Sequence, residues 1–276
     1  MVSPSMYFPP SPFDREEALK CAALVGTAYD MYTQWIEQRK PKPQHFQWEP
    51  HDPSLHYSQP IWVEERFLKF FHHSEPFGFV AWDNQGSAYV VFRGTDSAED
   101  WIEDAEAGQE PFSNIVHNYG KVHRGFYGVY IGMKEQAITI LNEELPKAER
   151  LLITGHSLGC GISTLAVPDI ITNTEYKPDK VSLKHYNFAS PKVGNRDFAI
   201  AYNQNRVPTY RLVNSCDIVP DVPFSAVGKL RYQHIGIPID FTAQYGTLAG
   251  NHNLKNAYEY ALNNHTQPQG PLQVTG

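Results

Sequence analysis

The chain has 276 residues, 41% hydrophobic and 19% charged, with a formal net charge of -7. That length sustains one large domain with a sizeable core, and the composition excludes a chain disordered throughout. The negative balance argues against nucleic acid and anionic membranes as partners, because both reward basic surfaces.

Residues 1–13 are Pro-rich and expected to be loose; they lack the basic start and apolar core of a signal peptide. A helix is predicted from Asp14, which can cap it, with Glu17 three residues on as the reciprocal partner. Leu19, Ala22, Ala23, Gly26, Tyr29, Thr33 and Ile36 fall roughly on one face of it. Residues 41–60 carry Pro41, Pro43, Pro50, Pro53 and Pro60 among polar side chains and read as a surface excursion. Residues 77–82 and 88–92 read as the strands of a hairpin turning at Asn84-Gln85-Gly86. A short acidic, amphipathic piece follows at 97–107. Helical spacing returns at Val129, Met133, Ala137, Ile140 and Leu141. A buried strand, Leu151-Leu152-Ile153, runs into Gly155-His156-Ser157-Leu158-Gly159. Strands are predicted at 181–189 and 209–214. The last helix is marked by Leu254, Ala257, Tyr258, Ala261 and Leu262. The tail from 265 is polar and expected to be loose. Strands interleaved with helices make an α/β class, and no internal repeat divides the chain, so one domain is expected.

Gly155-x-Ser157-x-Gly159 is the pattern of a nucleophile elbow. The serine stands on a sharp, strained strand-to-helix turn, where side chains two residues to either side would collide. Average Gly and Ser usage gives the pentapeptide by chance in about one chain in 20 of this length, so alone it carries little. Its setting carries more: an apolar run precedes it and the small-residue start Cys160-Gly161-Ile162-Ser163 follows, as strand, turn and helix require. A serine nucleophile needs a base, and the base needs a carboxylate to fix its tautomer. On this scaffold the chain order is Ser, then Asp or Glu, then His. Asp217 follows the predicted strand 209–214; Asp197 stands at a predicted helix start, and Asp221 lies between Pro220 and Pro223. Among the later histidines, His265 lies in the polar tail and His234 in Tyr232-Gln233-His234-Ile235. His252 directly precedes the final helix, which positions it best. Acyl transfer also needs N–H donors for the developing oxyanion. The N–H of Leu158, next after the nucleophile, is one. Thr95, in Phe92-Arg93-Gly94-Thr95 at the end of a β-run, is the other.

Several ordered segments together resemble the class 3, or fungal-type, lipases. They are Ala22-Ala23 to Tyr29, Phe92-Arg93-Gly94-Thr95, Asp100-Trp101-Ile102 and Val122-His123-Arg124-Gly125-Phe126 with Tyr130. The Ser157 elbow, 188–195, Asn214-x-x-Asp217-x-Val219-Pro220 and Asn251-His252 complete the set, which runs from about residue 14 to 262. The resemblance implies an α/β-hydrolase fold, with a mostly parallel central sheet flanked by helices and a lid-like segment after Thr95. It implies hydrolysis of acylglycerols or simpler fatty-acid esters by Ser157, Asp217 and His252, and so selects Asp217 from the three acids. It gives Thr95 a hydroxyl that also helps at the oxyanion. Tyr29, Trp101 and His156 are the candidate substrate contacts, although His156 and His123 also read as supports for the elbow and its neighbouring strands.

No metal or organic cofactor is expected. Cys21, Cys160 and Cys216 form no Cys-x-x-Cys pair, and no His-Glu-x-x-His spacing occurs. No run approaches 18 apolar residues, so contact with a lipid interface is at most transient, and the chain as written reads as intracellular unless a leader was removed. Residues 96–107 hold six carboxylates against Trp101 and Ile102, so a strongly interface-seeking lid is not expected. Phospholipase A1 and feruloyl esterase chemistry use the same triad. Outside the ester hydrolases, the competing readings are a serine peptidase or acyltransferase, and a catalytically silent binding module.

Overall fold

Alternation of apolar side chains along the strands sets the layering. The computed structural model describes residues 12–63, 74–95, 108–223 and 225–264. The predicted lid segment 96–107 with Trp101, and His72, His73 and His265, lie outside the described residues. In chain order the strands are β1 (His56–Tyr57), β2 (Ile61–Val63), β3 (Glu75–Trp82), β4 (Ser87–Phe92), β5 (Gln109–Pro111), β6 (Lys121–His123), β7 (Arg150–His156), β8 (Ser182–Phe188), β9 (Thr209–Asn214), β10 (Ala226–Val227), β11 (Leu230–Arg231) and β12 (Ile237–Phe241). The main sheet runs β1-β3-β4-β7-β8-β9-β12, and β2 shares an edge of β3 with β1. Within this sheet pairing is parallel along β4-β7-β8-β9-β12 and antiparallel among β1 to β4. The β3–β4 hairpin turns at Gly86, whose φ of +82° suits glycine.

Ala88, Val90, Phe92, Leu151 and Ile153 face one core, whereas Tyr89, Val91 and Leu152 face the other. Burial on both faces is why these strands read as near-continuous apolar runs. The helices are α1 (Arg15–Glu37), α2 (Arg124–Ile131), α3 (Lys134–Thr139), α4 (Leu158–Asn173), α5 (Arg196–Gln204), α6 (Leu248–His252) and α7 (Tyr260–Asn264). Helix α4 is buried from Leu158 to Ile170 on every side, as expected of a helix wedged between sheet and neighbours. Phe126 of α2 packs so closely on Gly161 that an added Cβ would sit 2.6 Å from its ring.

Four details differ from the sequence reading. Asp14 caps α1 by accepting from the N–H groups of Glu16 and Glu17, but the Glu17 carboxylate turns away to Lys184 and the Tyr186 hydroxyl, each at 2.6 Å. The buried residues of α1 are Ala18, Cys21, Ala22, Leu24, Val25, Ala28, Met31 and Trp35, while Ala23, Thr33 and Ile36 face solvent. Small side chains let α1 lie close on the sheet, and the near-uniform run Ala22-Ala23-Leu24-Val25 hid that phase. Phe13, inside the stretch expected to be loose, packs edge-on against Tyr186 and Tyr210. The predicted helix over 129–141 breaks at Gly132, where α2 ends and α3 restarts, and its last turn widens to π-type at Ile140–Glu144. Val129, Met133, Ala137, Ile140 and Leu141 are nevertheless all buried.

Candidate active site

Ser157 sits where β7 ends and α4 begins, with φ 56° and ψ -123°. This left-handed backbone is strained for a residue with a Cβ. The turn has no room for side chains at the flanking glycines. A Cβ on Gly155 would lie 2.3 Å from the Gly159 carbonyl oxygen, and one on Gly159 would lie 2.5 Å from the carbonyl oxygens of Phe92 and Arg93. Gly159 therefore answers to the end of β4 and not to the turn alone. The Ser157 N–H donates to the Phe188 carbonyl at 3.0 Å, which ties the elbow to β8. Its Oγ is buried and makes no hydrogen bond among the described residues. The Cys160 thiol, one helical step on, lies against the carbonyls of Gly155 and Phe188, and burial pushes its ionisation far up, so it is no competing nucleophile.

Asp217 lies in the turn after β9, and His252 ends the short helix α6. The structure brings these two together: Nδ1 of His252 is 2.7 Å from Oδ2 of Asp217. A carboxylate there can only accept, so the proton sits on Nδ1 and Nε2 presents a lone pair. Nε2 is buried and makes no hydrogen bond among the described residues. The Asp217 carboxylate is further held by the Val219 N–H at 3.0 Å and by the Tyr258 hydroxyl at 2.6 Å. Burial, and then the adjoining Asp217 carboxylate, keep Tyr258 protonated far beyond the ordinary phenol range. The loops of acid and base are sewn to each other. Asn214 donates to the Asn251 carbonyl, and Asn251 donates to the Cys216 carbonyl, both at 2.9 Å. His234 is not in this group. Its Nε2 bonds the Pro220 carbonyl, and burial followed by Arg211 and Lys192 drives its pKa down to about 3. Asp197 falls in the first turn of α5, and Asp221 ends a short turn after Asp217.

The candidate oxyanion loop lies against the elbow: a Cβ on Gly94 would come within 2.9 Å of the Ser157 Cβ. Arg93, 1% exposed, donates to the Gly94 carbonyl at 2.7 Å and to the Pro76 carbonyl at 2.9 Å. In a trans peptide the C=O and the following N–H point in opposite directions, so anchoring the Gly94 oxygen aims the Thr95 N–H the other way. Glu75, 3.2 Å from Arg93, neutralises the buried guanidinium, which lies over the Tyr32 ring at 3.8 Å. The Leu158 N–H opens α4, where helical N–H groups have no intrahelical acceptor. Tyr29 and His156 meet each other, the Tyr29 hydroxyl 2.8 Å from Nδ1 of His156. His156 is 4% exposed and both ring nitrogens bond inside the protein, to the Tyr29 hydroxyl and to the His252 carbonyl. Burial, and then the nearness of His252, hold His156 neutral.

Sequence reasoning missed Tyr258, which it read as a core position of the last helix, and the clasp of Glu75 on Arg93. Tyr258 could have been suspected only from a hydroxyl on an otherwise apolar helical face. Among the described residues, no cluster of three His, Cys, Asp or Glu is placed to hold a metal ion, and no helix is long and apolar enough to cross a membrane.

The model of the family Lipase (class 3) matches residues 89–227, half of the chain. The chain belongs to the class 3 lipase family. Within that family it is similar to a lipase of Rhizomucor miehei, 31% identical over 150 residues, or 54% of this chain and 40% of that protein. It is also similar to phospholipase A1-IIgamma of Arabidopsis thaliana, 29% identical over 224 residues, or 65% of this chain and 52% of that protein. The chain thus spans about half or less of the length of these relatives. A solved lipase from Rhizopus microsporus var. chinensis has a similar fold, with a TM-score of 0.62 at 24% identity, over 86% of this chain and 80% of that one.

Proposed function

We propose that this class 3 lipase family member hydrolyses carboxylic esters of acylglycerols or simpler fatty-acid esters through an acyl-enzyme on Ser157. The observation that carries the reading is the pair of unspent atoms. Nε2 of His252, fixed as a lone pair by Asp217, and Oγ of Ser157 are both buried without a partner among the described residues. The two residues are linked through His156, whose ring centroid lies 4.6 Å from that of His252. In the reaction Ser157 Oγ attacks the ester carbonyl while Nε2 of His252 takes its proton. The N–H groups of Leu158 and Thr95 meet the oxyanion, each worth roughly 3–4 kcal/mol in comparable sites. His252 then protonates the leaving alkoxide, and water enters by the reverse route to release the acid.

A fluorophosphonate probe should label the intact protein once, at Ser157, and para-nitrophenyl esters should be cleaved while peptide amides are not. Labelling at another residue of active protein would sink the assignment. The similarity to phospholipase A1-IIgamma over 224 residues supports a second substrate class, the sn-1 ester of a phospholipid. Release of the sn-1 acyl chain from a phosphatidylcholine with distinguishable chains tests it. The six carboxylates of residues 96–107 favour short- to medium-chain esters in solution. A rate jump for tributyrin at its solubility limit that Trp101→Ala abolishes would overturn that preference.

A further inference from the structure

Three hydrogen bonds run in series from the oxyanion loop to the base. The Gly94 N–H meets the Tyr29 hydroxyl oxygen at 3.0 Å. The Tyr29 hydroxyl lies 2.8 Å from Nδ1 of His156. Nε2 of His156 lies 2.9 Å from the backbone carbonyl oxygen of His252. The direction of the series is forced. A carbonyl only accepts, so Nε2 of His156 carries its proton. The ring is buried and neutral, so Nδ1 is a lone pair that accepts the single Tyr29 proton. The Tyr29 oxygen accepts the Gly94 N–H. Each link polarises the next.

The two ends of this series are the parts whose spacing matters most in acyl transfer. Gly94 precedes Thr95, whose N–H is aimed by the grip of Arg93 on the Gly94 carbonyl. At the other end is the main chain of His252, whose ring is otherwise positioned through Asp217. Gly94 is therefore held from both sides, by Arg93 at its C=O and by Tyr29 at its N–H. No space remains for a looser turn, because a Cβ at Gly94 would lie 2.5 Å from the Tyr29 hydroxyl.

We propose that Tyr29 and His156 are positioning residues that lock the oxyanion loop to the backbone of His252, so that N–H donor and general base keep one fixed separation. Their work is done inside the protein and not on the substrate. The proposal rests on the ester-hydrolase reading, and its test has one arm that needs no turnover. In protein labelled with ¹⁵N-histidine, His156, assigned through its loss in His156→Gln, should be the neutral Nε2–H tautomer at pH 7. Tyr29→Phe should shift the Nδ1 resonance toward that of an unbonded lone pair. An Nδ1–H tautomer, or no shift, overturns the series.

The kinetic arm uses para-nitrophenyl butyrate. Tyr29→Phe and His156→Leu should each lower kcat roughly 10- to 100-fold with little change in KM, the scale expected from small misplacement of a reacting group. The double variant should be no worse than His156→Leu alone, since a series broken once is fully broken. His156→Gln should recover part of the loss, because its amide offers one acceptor to Tyr29 and one donor to the His252 carbonyl. Multiplying losses, or a raised KM with kcat intact, would show separate substrate contacts and defeat the proposal. If His156→Leu does not fold, Tyr29→Phe and the tautomer still decide it. If the unaltered protein cleaves no ester, the functional reading fails while the tautomer result stands.

Discussion

Among the described residues two serines six positions apart, Ser157 at the start of α4 and Ser163 within it, are each set with a histidine, and the pairs differ in what is left unspent. Ser163 Oγ is 2.9 Å from Nε2 of His185 and 2.9 Å from the Asn187 side-chain oxygen. Nδ1 of His185 meets the Tyr202 hydroxyl at 2.6 Å, and burial drives the pKa of His185 down to about 3. Every polar atom of that couple is occupied, and neither residue is exposed. Ser157 and His252 are the reverse. Ser157 Oγ and His252 Nε2 have no partner among the described residues, the backbone at Ser157 is strained, and a carboxylate stands where the inner couple has a phenol. A close Ser–His contact is thus a poor mark of a nucleophile. An unspent base lone pair, an acid behind the ring and donors in front of the serine are better ones.

The sharpest way to break this contrast is to delete each serine. Ser157→Ala should cost kcat about 10⁶-fold, the scale of nucleophile loss in other serine hydrolases. Ser163→Ala should leave turnover within a small factor and lower stability by about 1–3 kcal/mol, because His185 and Asn187 lose a buried partner. Urea unfolding and esterase rates on the same preparations check both. Comparable activity losses would mean the two couples are not different in kind.

The next test concerns the group behind each ring. Asp217→Asn should lower kcat by about 10⁴-fold, since an amide no longer fixes the productive tautomer or balances the imidazolium. Tyr258→Phe removes one of the three donors to Asp217 and should have a smaller effect, about ten-fold at most if the lost bond is worth up to 1.4 kcal/mol. A Tyr258→Phe variant as impaired as Asp217→Asn would place the phenol, and not the carboxylate, at the centre of the base's support.

What could be read in advance follows the range of the interactions. The elbow is local: Gly155, Ser157 and Gly159 lie on one turn, and the apolar runs on both sides announce a strand and a helix. The core strands were legible because burial on both faces leaves an unbroken apolar signature, and residues 209–214 coincide with β9. The face of α1 was not legible, because Ala22-Ala23-Leu24-Val25 is apolar around most of the helix and only packing selects Ala22 and Val25 over Ala23. The supports of the site are legible least of all. Asn214 reaches Asn251 across 37 residues, Tyr258 reaches Asp217 across 41, and Arg93 meets Glu75 across 18. Such contacts leave no periodicity in the chain, and each of these side chains has an ordinary alternative reading as a turn, core or surface residue.

A further test of the inner couple uses pH. His185 is fully buried and titrates near 3 in the folded protein, against about 6.5 in an unfolded chain. Between those values the unfolded chain binds a proton that the folded one refuses. The contribution of His185 to stability is therefore complete above pH 6.5 and is lost as the pH falls from there toward 3. Between pH 7 and pH 5 the loss from this one group is about 2 kcal/mol. His123, held down to about 4, and His234, held down to about 3, act in the same direction, so the protein should weaken markedly on mild acidification. In His185→Gln the amide keeps an acceptor for Tyr202 and a donor for Ser163 but takes up no proton. Its unfolding free energy in urea should therefore fall less than that of the unaltered protein between pH 7 and pH 5, by about 2 kcal/mol. Parallel pH profiles for the two proteins would mean that folded His185 takes up its proton as readily as the unfolded chain does. The inner couple would then hold a buried charge at pH 5 without a carboxylate, and its inertness would need an explanation other than full hydrogen bonding.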